Sequence, residues 1–464
     1  MTSQKDMPKI RLEQYKRYLK KEEILYRPAV MTQEKQRDTP TVTCAYVLGP
    51  MLNAFIIWVL QNALRAGKKR LYFLARDGYL MYQTAEIYVR RLNLPIECRY
   101  LSCSRYSLRI PMFRLDMEDA MEYICRDSIC VNLSRILGRA GLTGDEQEEV
   151  LKDIGEEGHG NESIPYVRLA EVKEKLWHCE VFMEYMLRHS KEAAPGLTGY
   201  LTQEGLLDGE EDFLVDSGWV GSIQKTLNQV LENMGRKKPL EGFYWGIYEL
   251  PPGVKREEYH CYYFGPEGQL GEKVNFNNNL FETIFSAPHG MTLGYEKRGE
   301  QYVPIYAPVS SDRKKYMEKL SRRLEEYTRR AAGQIMDLDD ADTDSEKKTM
   351  KKILTLFMGH PTRDEAEAYG SLGFCDDVLE YADRPLAEEM DEKDLRDNHV
   401  INKILVMLGI RKKEIRESAW YEGSAVRFGK RPGYHLIQYG LYKYLLYIRQ
   451  MYMWRKSNVR KKEG

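Results

Sequence analysis

Apolar residues in this chain recur in two rhythms, and the points where one yields to the other outline the fold. Leu52, Phe55, Ile56, Val59, Leu60 and Ala63 share one helical face, with Pro50 suited to the first turn and Gly67 to the stop, so a helix is expected over 50–66. Lys68-Lys69-Arg70 leads into a short apolar strand, Leu71 to Ala75, and a turn at Arg76-Asp77-Gly78. The next helix places Met81, Ala85, Tyr88, Val89 and Leu92 together. Pro95 resets the chain for a second strand, Glu97 to Leu101, which ends at Ser102-Cys103-Ser104-Arg105. Strand, helix, strand in about 35 residues is a βαβ unit and predicts parallel pairing.

Residues 116–200 read as mostly helical, with glycine-rich breaks at 138–144 and 155–160. The strand pattern returns at Phe213-Leu214-Val215, followed by an expected turn from Asp216-Ser217-Gly218 to Ser222. A helix bearing Ile223, Leu227, Val230, Leu231 and Met234 follows, then a strand from Gly242 to Tyr248. The alternation predicts an α/β fold: a parallel-sheet core with a helical insertion, plus a mostly helical C-terminal domain. The expected division is a helical arm over 1–40, the core over 41–310 with its insertion at about 116–200, and the helical domain over 311–464. In that last part Thr362 and Glu365 form a capping box. A final helix, 434–454, puts Ile437, Leu441, Tyr444, Leu445 and Ile448 on one face. That stripe is expected to pack into the helical core, with peripheral membrane contact as the other reading.

Composition changes the picture little. Lysine plus arginine (70) equals aspartate plus glutamate (70) over 464 residues, so no net field points to nucleic acid. The basic tail Arg455-Lys456 to Arg460-Lys461-Lys462 reads as a solvated end. Eight cysteines without a Cys-x-x-Cys pair read as reduced packing residues. The first residues carry no apolar core of a signal peptide. Ala45 to Leu64 is apolar enough to suggest a membrane span, yet Gly49-Pro50, Asn53, Gln61 and Asn62 interrupt it. A buried helix and a cytoplasmic protein are therefore expected. Asp340, Asp342 and Asp344 start like a calcium loop, but Ser345 stands where glycine is needed and Lys351 where the bidentate glutamate belongs.

Chemistry concentrates where the strands end. A parallel strand that stops at a glycine turn and enters a helix aims backbone N–H groups and the positive helix end at the sheet's carboxyl edge, where phosphate or carboxylate binds. Arg76 and Arg105 add cations; Ser102, Ser104, Ser217 and Ser222 add hydroxyls; Gly78, Gly218 and Gly221 keep the backbone approachable. Asp77 and Asp216 are the candidate catalytic carboxylates, with Asp216 the better one, able to hold a metal or a sugar hydroxyl. The plainer reading makes each aspartate an Asx-turn or helix N-cap. Glu282 and His289 are candidate acid or base, against the plainer roles of a helix-surface carboxylate and a loop hydrogen-bonder. The other histidines show no ligand spacing.

Six stretches, taken in order, carry a family resemblance: LGPMLNAFIIWVLQNAL, YFLARDGYLMYQTA, YLSCSRYSLRIP, FLVDSGWVGSIQKTL, LFETIFSAPHGMTLGY and PTRDEAEAYG. Over about 45 to 370 the chain resembles an uncharacterised bacterial family labelled predicted hydrolases of the haloacid dehalogenase superfamily, found with glycosyltransferases of surface polysaccharide. The resemblance implies a cytosolic role in surface-glycan assembly, with a glycosyltransferase as a possible partner. Phosphatases of that superfamily need a strand-end Asp-x-Asp, whereas Tyr79 follows Asp77 by two and Gly218 follows Asp216 by two. A phosphatase is therefore the disfavoured alternative. The two strand–turn–helix units are also similar to the pyrophosphate and sugar-phosphate loops of type I phosphoribosyltransferases. That likeness implies hydroxyl binding by Asp216 and phosphate binding by the amides of 218–222, while the expected enzyme takes a divalent metal, Mg2+, as cofactor. The expected ligand is a phosphorylated sugar or nucleotide sugar, acted on by a transferase or hydrolase. The alternative is a non-catalytic phosphosugar or nucleotide binder that serves a glycosyltransferase.

Overall fold

The computed structural model describes residues 6–33, 36–126, 131–165, 168–209, 211–374, 384–411 and 415–462, with side chains to Lys456. Cys130 and Cys375 lie outside the described residues; the other six cysteines are free thiols, five of them buried. Five parallel strands form the central sheet in the order β2-β1-β3-β4-β5. They are β1 (Arg70–Leu74), β2 (Glu97–Leu101), β3 (Asp212–Trp219), β4 (Glu241–Ile247) and β5 (Tyr259–Phe264). The parallel βαβ pairing of β1 with β2 is in register from Arg70–Glu97 to Leu74–Leu101. β5 carried no distinct alternation in the sequence and was not expected, nor was the antiparallel hairpin of β6 (Thr292–Arg298) and β7 (Gln301–Tyr306).

Period-two alternation sends side chains to two helical layers. Leu71, Phe73, Phe213, Val215 and Trp245 share one core with helices Gly49–Arg65, Gly78–Leu92, Ser311–Ala332 and Thr343–Leu354. Tyr72, Leu74, Leu101 and Leu214 face the other way, against Leu197 and Leu201 of helix Glu180–Gln203 and Leu227, Val230 and Leu231 of helix Ser222–Asn233. The hairpin lies on helix Glu180–Gln203, where Gly199 makes room: a Cβ there would sit 2.2 Å from the Tyr302 ring. The expected insertion is helical and has its own core, including Met121, Ile136, Val150 and Phe182.

The expected boundaries at 40 and 310 do not divide the main core, which runs from Met7 to Trp420. Buried polar groups tie the parts together. The Tyr15 hydroxyl donates to Glu365 Oε1 at 2.5 Å, and Arg11 lies 3.6 Å from Glu365 Oε2. Glu365 also closes the capping box with Thr362, as the pattern predicted, at the start of helix Arg363–Gly370. The interruptions in the membrane-like run have the same use: Asn53 donates to Thr328 Oγ1 at 3.1 Å, and Gln61 to the Leu338 carbonyl at 2.8 Å. The Thr39–Arg65 segment is long and apolar enough to cross a membrane, but 94% of its most apolar window is buried inside the protein.

The expected packing of the last helix fails. The last helix spans Pro432–Lys462, and its stripe Ile437, Leu441, Tyr444, Leu445 and Ile448 faces outward rather than into a core. The opposite face won the packing through specific partners. Tyr439 packs on Tyr421 with ring centroids 4.1 Å apart, Tyr447 stacks on Tyr248, and Lys443 Nζ donates to Glu422 Oε1 at 2.8 Å.

Glu365 is buried and joins the first helix to the C-terminal region, so Glu365→Ala leaves Arg11 without its carboxylate. Chemical denaturation is expected to show a loss of about 3 kcal/mol of unfolding free energy. An effect below about 1 kcal/mol would refute that role.

Candidate functional site

β1 passes through helix Gly78–Leu92 to β2, whereas β3 passes through helix Ser222–Asn233 to β4. The two crossovers lie on opposite faces, so the chain diverges at the carboxyl ends of β1 and β3. That switch point is where an open α/β sheet has a natural crevice. The three expected strand ends, at 76–78, 102–105 and 216–222, all lie along this edge because β2, β1 and β3 are neighbours.

The residues that follow β1 make a tight corner. The Ala75–Arg76 peptide is cis, and helix Gly78–Leu92 begins at once. Gly78 is required, since a Cβ would meet the Phe73 backbone at 2.9 Å. Asp77 does not cap that helix. Its Oδ2 instead accepts a 2.5 Å hydrogen bond from the Ser217 hydroxyl, which joins the two units directly.

β3 departs from the expected turn at 216–218. Pairing with β4 carries the strand on through Asp216–Tyr244 and Gly218–Gly246 to Trp219–Ile247, and the chain turns only at Val220-Gly221. A Cβ on Gly218 would lie 2.5 Å from the Gly246 carbonyl oxygen, so this glycine serves strand packing. Gly221, at φ 65°, precedes helix Ser222–Asn233, and no side chain caps that helix. Asp216 is therefore not a helix cap. It is a buried carboxyl in the last rungs of the sheet.

Glu282 joins the aspartates from a third segment, helix Asn278–Ile284. Trp219 Nε1 donates to its Oε1 at 2.6 Å. The helix-surface reading of Glu282 is thereby set aside. Burial raises the pKa of all three carboxyl groups, Asp216 to about 7, and each lies within electrostatic reach of another. Asp77 is raised next by Asp216, and Glu282 next by Asp77. The amide of Ser217 pulls Asp216 the other way. Arg105 opposes the rise at all three, and Arg76 does so at Asp77 and Glu282. Among the described residues, no group of three His, Cys, Asp or Glu side chains is placed to hold a metal ion by itself.

His289 stands in an aromatic wall beside Arg76. Its ring stacks on Tyr306 at 4.1 Å and lies edge-on to Tyr79 and Tyr100. Nδ1 lies 2.8 Å from the Gly290 carbonyl, which can only accept, so Nδ1 carries the proton. Nε2 then accepts the Tyr100 hydroxyl at 2.9 Å. Burial lowers the His289 pKa, the Gly290 bond opposes this, and Arg76 adds to the lowering, which favours the neutral ring.

Two of the expected ligand hydroxyls are engaged elsewhere. Ser104 caps the short helix Arg105–Arg109, and its hydroxyl donates to the Thr292 carbonyl at 2.6 Å. Ser102 Oγ shares a 2.7 Å hydrogen bond with the Tyr306 hydroxyl. Ser222 opens its helix half-buried. The sequence pattern did not single out Trp219, Tyr100 or Tyr306. Trp219 stood within the quoted stretch FLVDSGWVGSIQKTL, but nothing in the sequence connects its indole to Glu282.

The sequence matches no protein-family model and no curated protein.

A buried carboxyl whose folded pKa lies above its unfolded value binds a proton that the unfolded chain releases. Stability from Asp216 is thus fully present below about pH 4 and is lost as pH rises through about 7. Unfolding free energy is expected to fall between about pH 4 and pH 7, by at most about 1.4 kcal/mol per pH unit for this group, and the melting temperature with it. Asp216→Asn should flatten the decline. An unaltered slope in that variant would refute the raised pKa.

Proposed function

We propose that the crevice at the β1/β3 switch point binds a phosphorylated sugar or nucleotide-sugar-type ligand, and that the chain is a transferase or hydrolase acting on it. One observation supports the reading: Asp77, Asp216 and Glu282, from three separate segments, lie within electrostatic reach of one another and of Arg105, with Arg76 in reach of Asp77 and Glu282. Such a set suits a ligand with both anionic and hydroxyl groups. Arg76 and the unpaired amides that open helix Ser222–Asn233 favour the phosphate. Asp216 and Asp77 favour sugar hydroxyls. A carboxyl group with a pKa of about 7 is matched to proton transfer at neutral pH, which makes Asp216 the first candidate for acid–base work.

Mg2+ is proposed as the cofactor. It is commonly held by one or two carboxylates together with substrate phosphates, so a complete protein cage is not required. Asp216 and Asp77 would be its protein ligands. A cytoplasmic place in surface-polysaccharide assembly, beside a glycosyltransferase, follows from the sequence resemblance alone.

The test is a thermal-shift series with phosphoribosyl pyrophosphate, sugar phosphates and nucleotide sugars, with and without Mg2+. A true ligand at a hundred times its Kd is expected to add about 2.7 kcal/mol of stability. No response to any of these anions would overturn the site. For a responding ligand, Asp216→Asn should leave the chain folded while abolishing turnover. A wild-type chain that binds yet turns nothing over would instead be a non-catalytic partner.

A further inference from the structure

A second surface lies on the C-terminal helix, independent of the crevice. Ile437, Leu441, Tyr444, Leu445, Ile448 and Tyr452 are each 42–64% exposed. At 100° per residue they fall within one outward stripe, which runs about 27 Å from Tyr434 to Tyr452 at 1.5 Å per residue. On neighbouring helix Val400–Met407 and just beyond it, Ile401, Leu408 and Ile410 are exposed as well. Folded chains seldom leave so many large apolar side chains in water without a use.

The charges around the stripe identify what covers it. From Pro432 to Lys462 the helix holds seven basic residues and no acidic one. Lys430 and Arg431 lie exposed just before it, and Arg449, Arg455 and Lys456 lie exposed toward its far end. Both ends of the stripe are therefore positive. A second copy laid antiparallel would set Lys430 and Arg431 against Arg455 and Lys456, and a parallel copy would set each cluster against itself. Self-pairing thus meets like charge in either direction. A negative surface meets opposite charge at both ends, while tyrosines suit the level of lipid headgroups.

We propose that this helix lies flat on an anionic membrane surface, with the Ile437–Tyr452 stripe entering the headgroup boundary and the basic ends on acidic lipid. The helix is held to the body through Tyr439, Lys443 and Tyr447, so the protein as a whole is the docked unit.

Flotation of the full chain with vesicles tests this. The protein is expected to float with vesicles containing about 30 mol% phosphatidylglycerol, and not with pure phosphatidylcholine. Raising salt to about 0.5 M should release it. Leu441→Glu with Ile448→Glu, and separately Arg449→Gln with Arg455→Gln and Lys456→Gln, should each lower partition at least about tenfold. These side chains are exposed, so melting temperature should stay within a few degrees and confirm folding. Absence of flotation on anionic vesicles overturns the proposal, as does equal flotation on neutral ones. A concentration-dependent dimer in sedimentation velocity that the Leu441/Ile448 variant abolishes would give the stripe to a second copy instead.

Discussion

Everything at the crevice depends on β1 pairing with β3. Arg70 sits opposite Asp212 and Phe73 opposite Val215, across a sequence gap that holds a βαβ crossover and an entire helical insertion. Closing a longer loop costs only slightly more entropy than closing a short one, so a large insertion with its own core is tolerated between the two strands. The Ser217–Asp77 hydrogen bond extends the pairing beyond the last strand rung and sets two carboxylates at one edge. Without that adjacency, the turn at Arg76 and the strand at Asp216 would be unrelated.

Local features were the most legible in the sequence. β2 has the expected bounds, and helix Gly49–Arg65 and the Thr362–Glu365 capping box lie where spacing and capping residues put them. Each is decided by residues a few positions apart. The placement of the three strand ends on one edge was also readable, because consecutive parallel strands share direction. What escaped was decided by distant partners. Asp216 remains in a strand because β4 pairs with the residues after it, and Glu282 reaches the site because Trp219 holds it. Neither fact has a local pattern. The outward stripe of the last helix failed for a related reason: both of its faces are apolar enough to pack, and aromatic partners at Tyr421 and Tyr248 chose between them.

The site and the C-terminal helix set two different demands. The crevice keeps carboxyl groups where water cannot fully support their charge, so arginines and an indole N–H must do so. The helix leaves apolar groups where water surrounds them. In both places the chain accepts a local cost that a bound ligand or surface would offset.

Helix Gly49–Arg65 also constrains how the chain comes off the ribosome. Its burial uses helices Ser311–Ala332 and Thr343–Leu354, which are made roughly 290 residues later, or about 15 s to a minute at 5–20 residues per second. Until then its most apolar segment has no native cover on that side. The nascent protein must spend that interval guarded, by its early strands or by a chaperone, and only the arrival of the C-terminal region ends the exposure.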